Sequence, residues 1–558
     1  MIQEKFRKLS KLLLVLCASA GICSLVMFIP HVREIIIALG EKYLGRALNH
    51  ALWNAKLIIW EIQFLILLFV SVFLLSDTLI SRFPTPSEKT YKICSWVFVA
   101  VSSIFLLIIA CESEDIWLDE TFSLGLARHS VKDLISLTAQ DVHPPLYYLI
   151  LKSAVMIFLD SVAAAKIVSV IPVILIMCFA NIFFFREFSA KFALLFNSVL
   201  ISTLAVLQYA VEIRMYSWCM LFSLLCAFFS YYIVKKGDLK YFLLYVLFAE
   251  CGAYCQYWTA FALAVNFVLI SALCFFKDKK SLSKILVSAL IGIVAYMPWA
   301  GVVIRQVSEV SASYWIAPIT VKTFLTYILS VVPAMESFKL AFLAVLAYFF
   351  IKSVLQIMRQ RKDFQSWFLL ISFGTPILLI ICATIISLAM RPVFIARYAV
   401  PLIMFIIFFF VLVFTKEHSK KLFAAFLFNA LVGSILSIKN QYDSEKTLSY
   451  ENKKFTNMMA QNRTKDTVFI FGEKIDSHIP HCIAYSYPDN RIYGFDISEL
   501  WTSAYFYNRK NLIASLADET DLCLVITKDE EVPPKFKDVQ CMLVNLSIYP
   551  NLKFYFLK

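Results

Sequence analysis

Charge is what this chain has least of. Only 16% of its 558 residues are Asp, Glu, Lys or Arg, while 60% are hydrophobic; a soluble domain carries about a quarter charged. The deficit excludes an ordinary soluble globule and makes lipid the main solvent. A small-residue cleavage site is also missing after the Lys-rich start and the apolar run 12–29, so that run reads as a retained first helix rather than a signal peptide. Internal repeats and low-complexity stretches are absent, and so are the pseudo-symmetric halves expected of many transporters. Metal-like cysteine spacing is absent too. Of 14 cysteines only Cys482, Cys523 and Cys541 fall beyond the apolar part, an odd and unpatterned set. Cys251 and Cys255, one helical turn apart, read as packing residues.

What is present is a series of apolar windows through residues 12–438, each near the roughly 20 residues that a helix needs to cross a bilayer. The net charge of +13 does not point to nucleic acid, because Lys and Arg gather in short clusters between those windows. Examples are Lys235–Lys236–Lys240, Lys277–Lys279–Lys280–Lys284 and Lys416–Lys420–Lys421, which the positive-inside rule places in cytoplasmic loops. Alternating sides from these clusters gives about 13 crossings. They fall at 12–29, 56–80, 93–111, 162–185, 192–210, 215–234, 241–257, 260–276, 285–303, 338–358, 366–390, 398–414 and 421–438. The first two form an N-terminal hairpin (residues 1–92), and 31–55 is an amphipathic stretch between them.

The same parity sets the loop 112–161 on the extracytoplasmic side, with Glu112, Glu114, Asp115, Asp119, Glu120, Asp133 and Asp141 in it. It also makes the apolar run 146–159 start and end on one side. At that length it is an interfacial or re-entrant helix rather than a crossing. Residues 93–440 form the membrane module. Residues 441–558 read as an extracytoplasmic α/β domain, with strands at 467–471, 482–487, 522–527 and 542–546.

Three polar constellations share the extracytoplasmic side. Asp119 and Glu120 follow an outgoing helix, where adjacent carboxylates can act as a general base or hold a divalent cation; alone, they read first as solvated loop charges or helix N-terminal acids. In Asp141-Val-His143-Pro-Pro-Leu-Tyr147-Tyr148 the prolines start a helix and hold His143 at its mouth. In Glu212-Ile-Arg214-Met-Tyr216 and Arg391-Pro-Val-Phe-Ile-Ala-Arg397-Tyr398, arginines near the membrane border are either snorkelling anchors or phosphate ligands. Together they form a set that can activate a hydroxyl and stabilise a departing phosphate. Tyr254, Tyr257, Trp258, Trp299, Tyr314 and Trp315 could stack on a sugar or form an interfacial belt.

On these motifs, together with Tyr296-Met-Pro-Trp299, residues 93–415 resemble the GT-C superfamily of membrane glycosyltransferases, specifically bacterial family-39-like enzymes. Relatives are the protein O-mannosyltransferases and the lipid A aminoarabinose transferases. The resemblance implies a GT-C fold in a bacterial inner membrane and inverting transfer from a polyprenyl-phosphate sugar to a glycan, lipid or protein acceptor. It implies Asp119 as base or metal ligand with Glu120 beside it. His143, Arg214 and Tyr216 would face the donor, and Arg397 with Tyr398 its phosphate. It leaves open a divalent cation (Mg, Mn or Zn) on Asp119. Departures are the extra helices before residue 93, and His-Pro-Pro where aminoarabinose transferases carry Lys-Pro-Pro. The stretch 304–337 is also too short for the β-domain inserted in eukaryotic O-mannosyltransferases. Two readings from other classes are a lipid-linked-sugar flippase and an extracytoplasmic sensor built on the tail.

Overall fold

A computed structural model describes residues 86–493 apart from short gaps (113–114, 159–160, 313–315, 317, 334–338, 361–362, 391, 417–419, 473, 476–477, 488–489). It also describes 521–533, 536–544, 552–557 and a helical piece at 32 and 34–39. The expected crossings at 12–29 and 56–80 lie outside the described residues.

In chain order, the helices begin with α1 (Glu88–Glu112), the loop helices α2 (Leu118–Arg128) and α3 (Val131–Gln140), the short apolar α4 (Leu146–Phe158) and α5 (Val162–Phe179). Helix α5 continues through a π-turn at Ala180–Phe184. Then come α6 (Ala190–Ser202), α7 (Leu204–Val211), α8 (Tyr216–Lys236), α9 (Leu239–Ala253), α10 (Tyr257–Lys277) and α11 (Ser281–Ala312). The series closes with α12 (Val321–Ser330), α13 (Lys339–Arg359), α14 (Phe364–Ala389), α15 (Ile403–Lys416) and α16 (Lys420–Asn462).

Seven helices among the described residues are long and apolar enough to span a membrane, and α6 with α7 makes an eighth if counted as one bent span. The chain is a multi-pass α-helical membrane protein. Helix α15 is its axis: Ile403 to Val411 are buried throughout. Outer helices turn apolar faces outward, such as Ile93, Val97, Val101 and Ile104 on α1, as lipid contact requires. Proline is tolerated inside α5 (Pro172), α11 (Pro298) and α14 (Pro376); at Pro172 the freed Val168 carbonyl accepts from Trp218 Nε1 at 3.2 Å. Buried polar contacts knit α1, α5 and α6: Ser95 Oγ donates to Asn181 Oδ1 at 2.6 Å and Asn197 Nδ2 to the same oxygen at 2.9 Å.

The stretch 192–210, expected as one crossing, bends by 70° between α6 and α7. The hydroxyls of Ser202 and Thr203 both donate back to the Val199 carbonyl, at 2.9 and 2.8 Å. Such back-bonding competes with the helical ladder, and Thr203 takes an extended conformation.

The C-terminal part forms a five-stranded sheet of order β2-β1-β3-β5-β4. Its strands are β1 (Val468–Phe471), β2 (Arg491–Tyr493), β3 (Leu522–Thr527), β4 (Cys541–Val544) and β5 (Leu552–Leu557), with helix α17 (His478–Ser486) between β1 and β2. Strands β2, β1 and β3 run parallel, whereas β5 is antiparallel to β3 and β4. The strand expected at 482–487 is instead part of α17. Pro480 sits in its first turn, and Ile479, Cys482 and Ile483 repeat at helical spacing on one buried face. The last turns of α16 contribute Phe455 and Met459 to this unit's core, against Phe469, Ile483 and Phe554. One unbroken helix therefore joins the bundle to the sheet.

Candidate active site

The loop between α1 and α5 carries α2, α3 and α4, and α2 brings the first acidic pair to the end of the bundle. Trp117 precedes α2 in an extended conformation, and Glu120 reaches back to accept its amide at 3.1 Å. The other Glu120 oxygen accepts the Ile213 amide at 2.8 Å. Glu120 is buried and thus ties α2 to the 212–216 turn between α7 and α8. Burial pushes its carboxyl above the ordinary range, against the pull of Lys166 and the two amides.

Asp119, one residue earlier, faces two guanidinium groups. Its Oδ2 lies 3.1 Å from Arg397 Nη1 and 3.9 Å from Arg214 Nε. Arg214 is held from every side: Nη1 lies 3.2 Å from the Asp119 carbonyl, 3.3 Å from Ser123 Oγ and 3.3 Å from Tyr148 OH. Its Nη2 lies 3.1 Å from His143 Nε2. His143 Nδ1 in turn lies 2.9 Å from Asp141 Oδ2. An arginine can only donate, so His143 Nε2 accepts from it and Nδ1–H donates to Asp141. Burial raises the Asp141 carboxyl, but His143, the Val142 amide and Arg214 together outweigh this and leave it below its ordinary value. Arg397 enters from the 3-10 turn Ala396–Tyr398, with its guanidinium 5.3 Å from the Trp117 ring centre and 6.0 Å from that of Tyr398. Tyr216 stacks edge-on against Tyr209 at 4.9 Å.

Asp119, Glu120, His143, Arg214, Tyr216, Arg397 and Tyr398 therefore converge from four separate stretches of chain. Arg391, Tyr314 and Trp315 lie outside the described residues. The other aromatic candidates are engaged in packing and hydrogen bonds. Trp299 Nε1 donates to Tyr257 OH at 2.8 Å, and Tyr257 to Gln306 Oε1 at 2.5 Å. Gln306 then donates to the Thr138 and Ala139 carbonyls at 3.1 Å. This chain pins the end of α3 just before Asp141. Tyr254 OH donates to the Ala295 carbonyl, and Trp258 packs edge-on against Phe394 at 5.0 Å.

Ser123, Tyr148 and Glu212 were not singled out from the sequence. Ser123 stands four residues after Asp119, on the same helical face. Tyr148 and Glu212 were inside the motifs, but only the fold shows what they face.

The centre of the cluster is incompletely bonded. Asp119 Oδ2, Arg214 Nε, Arg397 Nε, Tyr216 OH and Glu212 Oε1 are all buried without a hydrogen-bond partner. Buried polar atoms in native proteins are nearly always paired. Five orphans of mixed sign in one place describe a cradle for a polar, oxygen-rich ligand.

A divalent cation does not fit the same place. Two guanidinium groups stand within 4 Å of the Asp119 carboxylate, and both Glu120 oxygens are taken by backbone amides. Among the described residues no group of three His, Cys, Asp or Glu side chains is placed to hold a metal.

No protein-family model and no curated protein matches the sequence. Solved structures do match in shape: ArnT from Cupriavidus metallidurans in the apo state superposes with a TM-score of 0.57 over 83% of this chain and 98% of its own, at 10% identity. The fold is that of ArnT. A second ArnT structure, bound to undecaprenyl phosphate, gives a TM-score of 0.55 at 11% identity, covering 83% of this chain and 97% of that one. The likeness to ArnT spans nearly all of the neighbour's length.

Proposed function

We propose that this protein is an inverting glycosyltransferase that moves a sugar from a polyprenyl-phosphate donor to a cell-envelope acceptor. The observation that carries the reading is the Asp119 carboxylate set between two arginines whose Nε–H groups have no hydrogen-bond partner. An ArnT structure holds undecaprenyl phosphate, which supports a lipid phosphate as the anion this cradle accepts.

In the proposed reaction the donor's phosphate takes the free Nε–H donors of Arg397 and Arg214, a planar fork suited to two oxygens. Arg397 then exchanges its pairing with Asp119 for the phosphate, which frees the carboxylate. Asp119 accepts the proton of the acceptor hydroxyl as that oxygen attacks the anomeric carbon. The bond from that carbon to the phosphate oxygen breaks, and its electron pair leaves with the lipid phosphate. Attack opposite the leaving group inverts the anomeric centre. Glu120 acts by position, locking α2 onto the 212–216 turn. No metal is required in this scheme.

The site lies on the extracytoplasmic face of a bacterial inner membrane. Lys277 and Lys284 cap the Val234 and Gly237 carbonyls at the far end of α8, at 2.6 Å each, and so gather positive charge opposite the site, as cytoplasmic loops do. The test uses purified protein in lipid, a radiolabelled sugar on undecaprenyl phosphate and an envelope extract as acceptor. The reading requires transfer by the wild type and a loss of about a hundredfold or more in Asp119→Asn; equal turnover by both would refute the base.

A further inference from the structure

Glu212 contributes a buried oxygen to the cradle, yet neither the motif nor the proposed mechanism gives it work. It stands in the turn between α7 and α8, and its Oε1 is one of the five buried, unpartnered atoms. The groups that act on its carboxyl come from each element around it. These are Glu120 and Asp119 on α2, Arg214 in its own turn and Arg397 from the Ala396–Tyr398 turn. Tyr209 on α7 and Tyr216 on α8 also feel its charge. A structural carboxylate in such surroundings would be expected to close an ion pair with one of the arginines, as Asp119 does. Among the described residues Glu212 closes none, and its free oxygen belongs to the same polar centre as the unpaired arginine and tyrosine atoms.

We infer that Glu212 works as a carboxylic acid, not a carboxylate, and donates its O–H as a hydrogen bond to an oxygen of the donor's phosphate. This deepens the proposed function and rests on it. Three negative carboxylates around two arginines would leave the cradle repelling an incoming phosphate, whereas a neutral Glu212 leaves it complementary. Consistent with this, burial, reinforced by Glu120, pushes the Glu212 carboxyl up to about 8. The donor phosphate gains negative charge as its bond to the sugar breaks. A hydrogen bond aimed at that oxygen therefore strengthens in the transition state. The proton stays with Glu212, and Asp119 alone accepts the acceptor's proton.

The test measures binding of undecaprenyl phosphate to the full chain in nanodiscs between pH 6 and pH 9.5, for wild type, Glu212→Gln and Arg397→Ala. When only the protonated form binds, affinity falls by about tenfold for each pH unit above the ionisation. The lipid's own phosphate titration is common to all three proteins, so the readout is the ratio of variant to wild-type affinity. That ratio should rise by about tenfold between pH 8 and pH 9.5 for Glu212→Gln, whose amide still donates but cannot ionise, and stay flat for Arg397→Ala. A flat Glu212→Gln ratio with normal wild-type binding overturns the role of Glu212 alone. Failure of the wild type to bind the lipid phosphate at any pH overturns the proposed function beneath it. Glu212→Asp, which keeps an ionisable acid, should restore a wild-type slope, and a thermal melt in each case confirms that the variants fold.

Discussion

Two carboxylates in this molecule each face a cation, one buried and one half-buried, and they have opposite characters. Glu445 on α16 meets Lys166 on α5 at 3.0 Å, with both side chains under a tenth exposed. Its second oxygen accepts from Gln441 at 3.2 Å. Asp119 meets Arg397 at 3.1 Å, but its Oδ2 and both neighbouring arginine Nε–H groups remain without hydrogen-bond partners. The first arrangement is closed and joins two helices. The second is open and waits for a third party. Low dielectric strengthens a satisfied network and penalises an incomplete one, so an incomplete one persists only where something other than stability maintains it.

This contrast can be broken experimentally, beginning where the effect is greatest. Asp119→Asn should lower sugar transfer by about 10²–10⁴-fold, the usual worth of a general base, with little change in thermal unfolding. A variant that unfolds instead would make Asp119 a structural ion like Glu445. Lys166→Met should do the reverse and destabilise the protein by about 3–5 kcal/mol, because Glu445 is left buried and unpaired. The double variant Lys166→Met/Glu445→Leu should recover most of that loss in a melting experiment. If the double variant were as unstable as the single one, the closed pair would be holding more than itself.

Asp141→Asn tests whether the open site has closed supports. Removing the negative charge that accepts from His143 Nδ1–H loosens Arg214, and a hydrogen bond to a charged group contributes about 1.5–3 kcal/mol. We expect kcat/KM to fall about tenfold or more. The lowered Asp141 carboxyl adds a sign. Its stabilising contribution is fully present above the ordinary value of 3.8 and is lost as pH falls through the lower folded value. The acid limb of the unfolding curve should therefore be shallower in Asp141→Asn, and an unchanged limb would deny the link. At the end of the scale, removing divalent ions with EDTA should leave transfer at its starting rate, and a chelator-sensitive rate would return a metal to Asp119.

Much of the site could be read from the sequence because it lies in short, locally ordered motifs. Asp119–Glu120, Asp141–Tyr148, Glu212–Tyr216 and Arg397–Tyr398 each declare their chemistry within a few residues, and charge parity put them on one side. Pairing could not be read in the same way. That His143 serves Arg214, 71 positions away, depends on how α2, α4 and α8 pack. Lys166 and Glu445 lie 279 apart, and each taken singly is an ordinary charge at the edge of an expected crossing. The helix α17 was misread as a strand because a short apolar run satisfies both periods until its neighbours decide. The bend at Thr203 was missed because two hydroxyls in an apolar run barely change its hydropathy.

Helix α16 has a consequence of another kind. Its 43 residues amount to about 65 Å of rod at 1.5 Å per residue, roughly twice the hydrocarbon thickness of a bilayer. Two fixed points lie along it: Glu445 is bolted to α5, and the far end is built into the core of the sheet unit. From that unit Cys482 reaches the Ile116 carbonyl at 3.6 Å, three residues from Asp119. The rod therefore acts as a gauge. A single residue inserted between 446 and 454 would advance the sheet by about 1.5 Å and swing it by about 100°, carrying α17 off the loop it touches. Seven residues would restore the bearing but lift the unit by roughly 10 Å. Length and phase of this one helix together set where the sheet stands over the catalytic loop, so drift in its sequence is tolerable where drift in its length is not.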